Sequence, residues 1–298
     1  MTRSRSRGPL LPFVAAALIG ALAVLWITGP IGQAGLSQPA DHATSASTTV
    51  TLTWDDATIS QYTLAFQRAM QPHSVEGTFF INSGHVGAGP GFMTWGDVRA
   101  LAAAGNDVAG HTIDHVNLVD PRLSDTGRVR QICGDREALI DHGFHPSNFA
   151  YPYAALDHSV ERIVKGCGYA AARSGGGASP SGPVYAETVP PGNPYATRAW
   201  SPPGGREITL ADLESLVEGA AHHGGGWVQI VGHAVCSREY EPDEYAACTA
   251  SYGWIDLGTL NRFLDWLADA GAGGAPAGTV TASVAQVLGD RSGGSSSG

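Results

Sequence analysis

The sequence predicts an α/β fold built on a parallel sheet, and three observations indicate this class. Short runs rich in β-branched and aromatic residues alternate with helical patterns between residues 49 and 284. Such alternation is typical of parallel sheets, because parallel neighbours need a crossover connection. The number of units, about seven or eight, favours a sheet closed as a barrel over an open one. A composition with 43% hydrophobic residues is sufficient for a packed core.

The first units are predicted from short β-like runs and capped helices. Residues 49–54 (TVTLTW) are mostly β-branched and predict a strand. A helix is predicted over 60–71, and 77–82 (GTFFIN) predicts a second strand. Residues 94–104 predict a helix that begins at a threonine cap, and 106–110 predict a short strand.

The middle of the chain repeats this alternation. A helix is predicted over 124–142, with a serine or an aspartate at its start as the cap. Residues 148–153 predict a strand, 157–166 a helix that ends at a glycine, and 169–173 a strand.

The last units are a helix over 209–223 and a strand over 227–232 (WVQIVG). A helix over 256–270 has leucines at every third or fourth position, which predicts one apolar face. Residues 279–284 are predicted as a final strand.

Both ends of the chain differ from this pattern. Three arginines precede an apolar run over 10–27, so we interpret 1–28 as a signal peptide or a signal anchor. Residues 29–48 are rich in Gly, Ser, Pro and Ala and predict a flexible linker. Residues 49–289 would then form one domain outside the cytoplasm, and 290–298 a disordered tail.

Charge and cysteine content limit the partners. After residue 48 the chain has 14 basic and 26 acidic residues, so nucleic acid is excluded as a partner and a neutral glycan is not repelled. Four cysteines allow three pairings, and we favour Cys133–Cys167 and Cys236–Cys248 because each joins neighbouring segments. Free buried thiols are the alternative, although export favours disulfides. The oligomeric state is not readable from sequence, and a monomer is our expectation.

Chemically reactive side chains follow the predicted strands, at the end where barrels collect function. The pair Asp55-Asp56 follows the first strand, and its two side chains would point to opposite sides. His111 and His115 are four residues apart, a spacing that allows both to reach one metal ion, and His233 follows a buried strand. Each feature also has a structural interpretation without function. The aspartates could cap a turn or helix, His111 and His115 could be surface residues, and His233 could be a buried core histidine.

These positions, in this order, resemble the polysaccharide deacetylase family, carbohydrate esterase family 4, over about residues 49–288. The family's T-F-D-D-G motif is similar to TWDDA at 53–57, and its H-[ST]-x-x-H motif to HTIDH at 111–115. Its P-Y motif resembles FAYPY at 149–153, and its last histidine motif resembles IVGH at 230–233.

The resemblance implies an irregular (β/α) barrel with fewer than eight regular units. It also implies a hydrolase that removes N-acetyl or O-acetyl groups from chitin, peptidoglycan or xylan, with one divalent ion, zinc above cobalt or nickel. The implied roles are Asp55 as general base, Asp56, His111 and His115 as metal ligands, the backbone N–H of Tyr153 as an oxyanion donor, and His233 as general acid.

Three departures accompany the resemblance. Ala150 stands where many members have an arginine that orients the base, so another group must do this. Ala57 and Ala154 replace usual glycines, so we expect these turns to avoid positive φ. No match exists for the Asp-x-x-Asp-Trp motif that tunes the acid histidine. Two alternatives stay open: a same-fold hydrolase of cyclic amides or imides, and an inactive glycan-binding module on a membrane anchor.

Overall fold

The computed structural model describes residues 47–269 and 273–289. The predicted signal segment, most of the linker and the tail lie outside these residues. The strands are β1 (Thr48–Asp55), β2 (Thr78–Ile81), β3 (Asp107–Gly110), β4 (Asn148–Ala150), β5 (Ala171–Gly177), β6 (Thr197–Ala199), β7 (Gly226–Gly232), β8 (Val235–Cys236), β9 (Ile255–Asp256) and β10 (Thr279–Thr281).

Helices connect most of the strands. The α-helices are α1 (Trp95–Ala103), α2 (Asp125–Asp141), α3 (His158–Gly166), α4 (Leu210–His222), α5 (Tyr245–Cys248), α6 (Leu257–Ala268) and α7 (Val284–Val287). A π-type helix spans Gln61–Met70, and 3-10 turns span Pro152–Ala154 and Pro203–Gly205. No helix among the described residues is long and apolar enough to cross a bilayer.

The main sheet confirms the predicted irregular (β/α) barrel of about seven strands. Strands β1 to β6 are parallel neighbours in chain order, and β7 pairs with the other edge of β1. A bridge between Trp200 and Ile230 joins the end of β6 to β7, so the sheet curls into a ring. Strand β10 pairs with the start of β1, where Thr48 aligns with Thr279.

Two of the three apolar clusters in the described chain are large, and they support this ring. The larger includes Trp54, Phe79 and Phe263, and lies between β1, β2, β7 and the helices that cover them. The smaller includes Phe149 and Tyr169 and lies beneath α2 and α3. Both faces of the barrel strands are covered, so nearly every residue of β1, β2 and β4 is buried, polar side chains included.

Both predicted disulfides are present, Cys133–Cys167 between α2 and α3 and Cys236–Cys248 between β8 and α5. The helices begin at the capping residues that the sequence indicates. Thr94 accepts a hydrogen bond from Asp97 N–H, and the Asp97 side chain accepts one from Thr94 N–H. This reciprocal capping box satisfies two helix-end donors.

Some predicted boundaries are wrong. The strand predicted over 148–153 ends at Ala150, because Pro152 has no N–H to offer a ladder and the chain turns there. The last strand ends at Thr281, since Ser283 caps α7. Thr48 belongs to β1 rather than to the linker. Strand β6 has only three residues and was not predicted.

Candidate active site

The carboxyl end of β1 places two aspartates in different surroundings. Asp55 is the last residue of β1 and its side chain is buried. Asp56 leaves the strand with φ at +82° and remains partly exposed. The two carboxylates therefore separate, as the alternation of a strand predicts.

A buried arginine that the sequence analysis missed holds Asp55. Arg173, on β5, donates from Nη2 to both Asp55 carboxylate oxygens, at 2.5 and 2.7 Å. Its side chain is 2% exposed, and its guanidinium lies 4.6 Å from the centroid of the Phe80 ring. The only signal in the sequence was a charged residue at the end of an apolar strand. Arg173 is thus placed to orient Asp55, although Ala150 occupies the motif position where an arginine is usual.

The charges around Asp55 determine its ionisation. Burial is the largest influence and raises its pKa, but the positive charges of Arg173, His111 and His233 together lower it more. The net result is a pKa below the usual range, so Asp55 is a carboxylate at neutral pH.

Asp56, His111 and His115 converge on one point. Nε2 of His111 lies 3.5 Å from Asp56 Oδ1, and Nε2 of His115 lies 3.2 Å from the same oxygen. One ligand atom from each residue lies within 4.8 Å of the other two. Two imidazoles and one carboxylate match the donor set of a catalytic zinc site with an open position.

Hydrogen bonding prepares His111 for this role. Its Nδ1 lies 2.8 Å from the carbonyl oxygen of Ala150, which can only accept, so Nδ1 carries the proton and the Nε2 lone pair faces Asp56. Both His111 Nε2 and Asp56 Oδ1 are buried without a hydrogen-bond partner. Buried polar atoms that lack a partner are what a bound cation would satisfy, so these residues fit a metal ion.

The ionisation of the two histidines differs. Burial lowers the pKa of His111 most, but the nearby carboxylates of Asp55 and Asp56 outweigh it and the pKa is raised. Burial also lowers the pKa of His115, and the charge of His111 lowers it further. In both imidazoles burial lowers the pKa and the carboxylates raise it; the carboxylates prevail at His111, and burial prevails at His115.

Buried side chains behind the site fix its backbone. Asp135, on α2, accepts hydrogen bonds from the N–H groups of His111 and Ser83, at 3.0 and 2.9 Å. Burial raises the pKa of Asp135 to about 6. The Asn82 amide donates to the carbonyls of His111 and Thr112. These partners hold the loop that carries both histidines, and sequence reasoning did not find them.

Positive φ angles are concentrated in this site. Seven non-glycine residues in the described chain have positive φ, and all except Ser74 lie in the motifs or directly after one: Asp56, Ala57 (+58°), Thr112, His115, Tyr153 and Ala154 (+53°). Our expectation that Ala57 and Ala154 avoid positive φ is therefore wrong. Hydrogen bonds fix both turns, from Met93 N–H to Ala57 O (2.9 Å) and from Ala154 N–H to Tyr151 O (3.0 Å). Such unfavourable backbone is typical of functional sites.

Tyr153 lies in the 3-10 turn after β4, not at the end of the strand as predicted. Its φ is +59°, and its side chain is 68% exposed. The ring centroid is 4.6 Å from that of His115, in an edge-to-face arrangement. The residue therefore borders the proposed metal ligands, and the left-handed backbone gives its amide a different direction from that in a strand.

His233 lies directly after β7, beside β1. Its carbonyl accepts hydrogen bonds from Thr58 Oγ1 (3.0 Å) and from Gln61 Nε2 (2.7 Å). The same Gln61 amide also donates to the carbonyl of Asp55, which ties the two strand ends together. His233 Nδ1 is buried without a hydrogen-bond partner, in agreement with the missing Asp-x-x-Asp-Trp motif.

Burial is the main influence on His233 and lowers its pKa. The negative charges of Asp55 and Asp56 act in the opposite direction, but His111 and Arg173 add to the lowering. His233 thus lies within the electrostatic reach of the whole cluster, although no carboxylate holds its Nδ1.

Comparison with known proteins gives a family match for the first half of the barrel. Residues 42–172 match the family model described as polysaccharide deacetylase. A chitooligosaccharide deacetylase from Rhizobium leguminosarum bv. trifolii is 31% identical over 121 residues. That match covers 40% of this chain and 49% of the relative, so it spans about half of the relative's length.

Solved structures extend the likeness to the whole fold. The Xyl-CE4 domain of a multidomain xylanase from the hindgut metagenome of Trinervitermes trinervoides has a TM-score of 0.50 at 13% identity. The Bc1960 peptidoglycan N-acetylglucosamine deacetylase gives the same two values. Each alignment covers 82% of this chain and 90% of the other. The fold is shared, and residues 42–172 match the polysaccharide deacetylase family model.

Proposed function

We propose that the chain is a metal-dependent hydrolase that removes acetyl groups from a polysaccharide. The observation that supports this most is the convergence of His111 and His115 on Asp56 Oδ1, next to a buried Asp55 held by Arg173. The relative named as a chitooligosaccharide deacetylase agrees with a glycan substrate.

We assign Asp56, His111 and His115 as ligands of one divalent ion, with zinc expected and cobalt or nickel as alternatives. When bound, the ion supplies Lewis-acid chemistry: it polarises the acetyl carbonyl and lowers the pKa of water. The Ala150 carbonyl and the Asp135 carboxylate orient His111 toward it.

Asp55 is our candidate for the general base. Arg173 contacts both of its carboxylate oxygens, which restricts rotation of the carboxylate and keeps it ionised. An ionised, immobilised carboxylate can accept the proton of the attacking water at a carboxylate oxygen. Arg173 acts through Asp55 and is therefore a positioning residue.

His233 is our candidate for the general acid, and it would donate a ring proton to the departing amine or alcohol. Gln61 binds the carbonyls of both Asp55 and His233, so the distance between base and acid is fixed through the backbone. We further assign the Tyr153 N–H as a donor to the oxyanion that forms at the acetyl carbon.

Location and organisation are part of the proposal. Two disulfides agree with an oxidising compartment, so we propose that 1–28 direct the chain out of the cytoplasm as a signal peptide or an anchor. Residues 49–289 would then be the catalytic domain. The proposed partner is a polysaccharide or oligosaccharide, with no nucleic acid, and the proposed state is a monomer.

The test is acetate release by the full chain from N-acetylchitotetraose, peptidoglycan and acetylated xylan, with zinc and with a chelator. Asp56→Ala should abolish release. Asp114→Asn is a matched control, because Asp114 lies between the two histidines but binds Gln131 at 2.7 Å. Release that requires metal and Asp56, but not Asp114, supports the proposal and names the substrate.

The same assay separates the alternatives. No release from any substrate, with one ion bound per chain, would favour a hydrolase of cyclic amides or imides. No release and no bound ion would favour a glycan-binding module. Metal content is measured on the same samples by elemental analysis.

A further inference from the structure

Tyr252 is an exposed aromatic residue that contacts the proposed acid. Its side chain is 53% exposed, and its ring centroid lies 5.2 Å from that of His233, with the planes at 80°. Large exposed apolar side chains are informative when they lie at a site, because scattered ones are common and neutral. Tyr252 belongs to none of the family motifs.

The backbone around Tyr252 is fixed. Gly253 N–H donates to Gly205 O at 2.8 Å, and His233 N–H donates to Gly253 O at 3.3 Å. On the other side, the disulfide Cys236–Cys248 ties down the segment that leads to Tyr252. The residue therefore lies in a braced loop, despite its exposure.

The ring itself rests on a glycine. Gly205 has φ at +70°, and a methyl group at this position would stand 2.1 Å from Cδ2 of Tyr252. Only glycine leaves room for the ring here. One side of the ring is thus packed on the Gly205 backbone and its edge meets His233, while half of the side chain remains open to solvent.

Two other exposed tyrosines help to interpret this arrangement. Tyr153 contacts His115, so one exposed aromatic ring lies at each of these two histidines. Tyr240, in the same connection between β8 and β9 as Tyr252, is 44% exposed, but the Arg68 guanidinium covers its ring at 3.7 Å. Tyr252 therefore presents solvent-exposed ring surface at the site, whereas the ring of Tyr240 is covered by Arg68.

We infer that Tyr252 forms a stacking surface for a pyranose ring of the glycan, next to the sugar that loses its acetyl group. This rests on the proposed function and extends it to chain-length preference. A pyranose ring has an apolar C–H face, and a fixed tyrosine offers a flat, amphipathic surface at low entropic cost. The ring contacts the proposed acid, which protonates the departing amine or alcohol of the glycan. The stacked sugar therefore lies on the glycan side of the bond that breaks, not on the acetate side.

The test compares kcat and KM of the full, metal-loaded chain on N-acetylchitotetraose and N-acetylchitobiose, or on the acetylated xylan oligomers of the same lengths if only esters are hydrolysed. Tyr252→Ala should raise KM for the tetrasaccharide about tenfold and leave kcat near the wild-type value. The increase should be smaller for the disaccharide. Tyr252→Phe should behave as wild type, and Tyr240→Ala is the matched control in the same connection between β8 and β9.

Several results would overturn the inference while the proposed function stands. These are an unchanged KM in Tyr252→Ala, an equal change in Tyr240→Ala, or a loss of kcat alone, which would mean that Tyr252 only supports His233. If Tyr252→Ala fails to fold by circular dichroism, Tyr252→Leu keeps the bulk without the flat ring and gives the same test. A wild-type chain that releases no acetate from any substrate refutes the proposed function instead.

Discussion

Replacing Arg173 tests whether the pair with Asp55 positions the base. In Arg173→Met, a side chain of similar length fills the site but no longer contacts the carboxylate. The pair is almost fully buried, with side-chain exposures of 2% and 7%. Removal of one partner from such a pair costs about 3–5 kcal/mol, because the other charge stays buried. We therefore expect the free energy of unfolding to fall by about this amount.

The catalytic effect should be separate from the loss of stability. Without the two hydrogen bonds from Arg173, Asp55 can rotate, and a displacement of about 1 Å at a reacting group costs on the order of 100-fold in rate. We expect kcat to fall by about this factor, with little change in KM. Because Arg173 helps to lower the pKa of Asp55, its loss should raise that pKa, and activity should decline at higher pH than in wild type on the acid side.

The assay is acetate release across pH, with urea unfolding of the same samples. Arg173→Lys keeps the charge but not the planar, rigid guanidinium, and should recover stability more than kcat. Arg198→Met is the matched control. Arg198 lies on the neighbouring strand β6, and its Nη1 is 3.0 Å from an oxygen of the buried Glu187 carboxylate. The reasoning is wrong if Arg173→Met keeps wild-type kcat and pH profile, or if Arg198→Met loses as much kcat.

Three further predictions concern metal, a helix cap and a strained turn. Removal of the ion by a chelator should lower the thermal midpoint. The loss should be equivalent to about 4 kcal/mol when the free ion was present at about a thousand times its Kd, and Asp56→Asn should lose this response. Equal midpoints with and without zinc would contradict the site. Asp212→Asn should lower stability at pH 7 by about 1 kcal/mol, because Asp212 completes the Thr209 capping box and pairs with Arg206. Burial raises the Asp212 pKa, but these bonds lower it more, from 3.8 to about 2. The stabilisation is thus present above pH 3.8 and lost as pH falls through about 2. Urea unfolding that shows the same stability difference between wild type and Asp212→Asn at pH 7 and below about pH 2 would refute this. Ala154→Gly should stabilise the chain by about 0.5–1 kcal/mol, since it removes a left-handed alanine, and an unfolding curve shifted to lower urea would contradict it.

Local patterns were enough to predict most of the fold. Strand β1 and helix α1 were found nearly to the residue, because β-branched content and a capping box are written in consecutive positions. Strand β6 was missed because three residues contain no measurable period. Its place in the sheet depends on bonds to β5 and β7, which are distant in sequence.

The site divides in the same way. His111 and His115 were predicted from their spacing and Asp56 from the family resemblance, and the structure brings the three together. Arg173 was missed, because its partner lies on another strand and no neighbouring residue marks it as functional. The turn at Ala57 was misjudged, since tertiary hydrogen bonds there override the preference of alanine.

The pairing of β1 has a consequence for the order in which the site is assembled. Strand β1, which ends at Asp55, pairs with β7 along one edge and with β10 at its start, and both partners come from the last quarter of the chain. A nascent chain that ends at residue 172 already has both aspartates, both histidines and β2, which pairs with the end of β1, but it lacks β7 and β10. Contacts of such long sequence separation form slowly. Tight metal binding should therefore arise only after synthesis is complete, and would report closure of the barrel rather than the presence of the ligands.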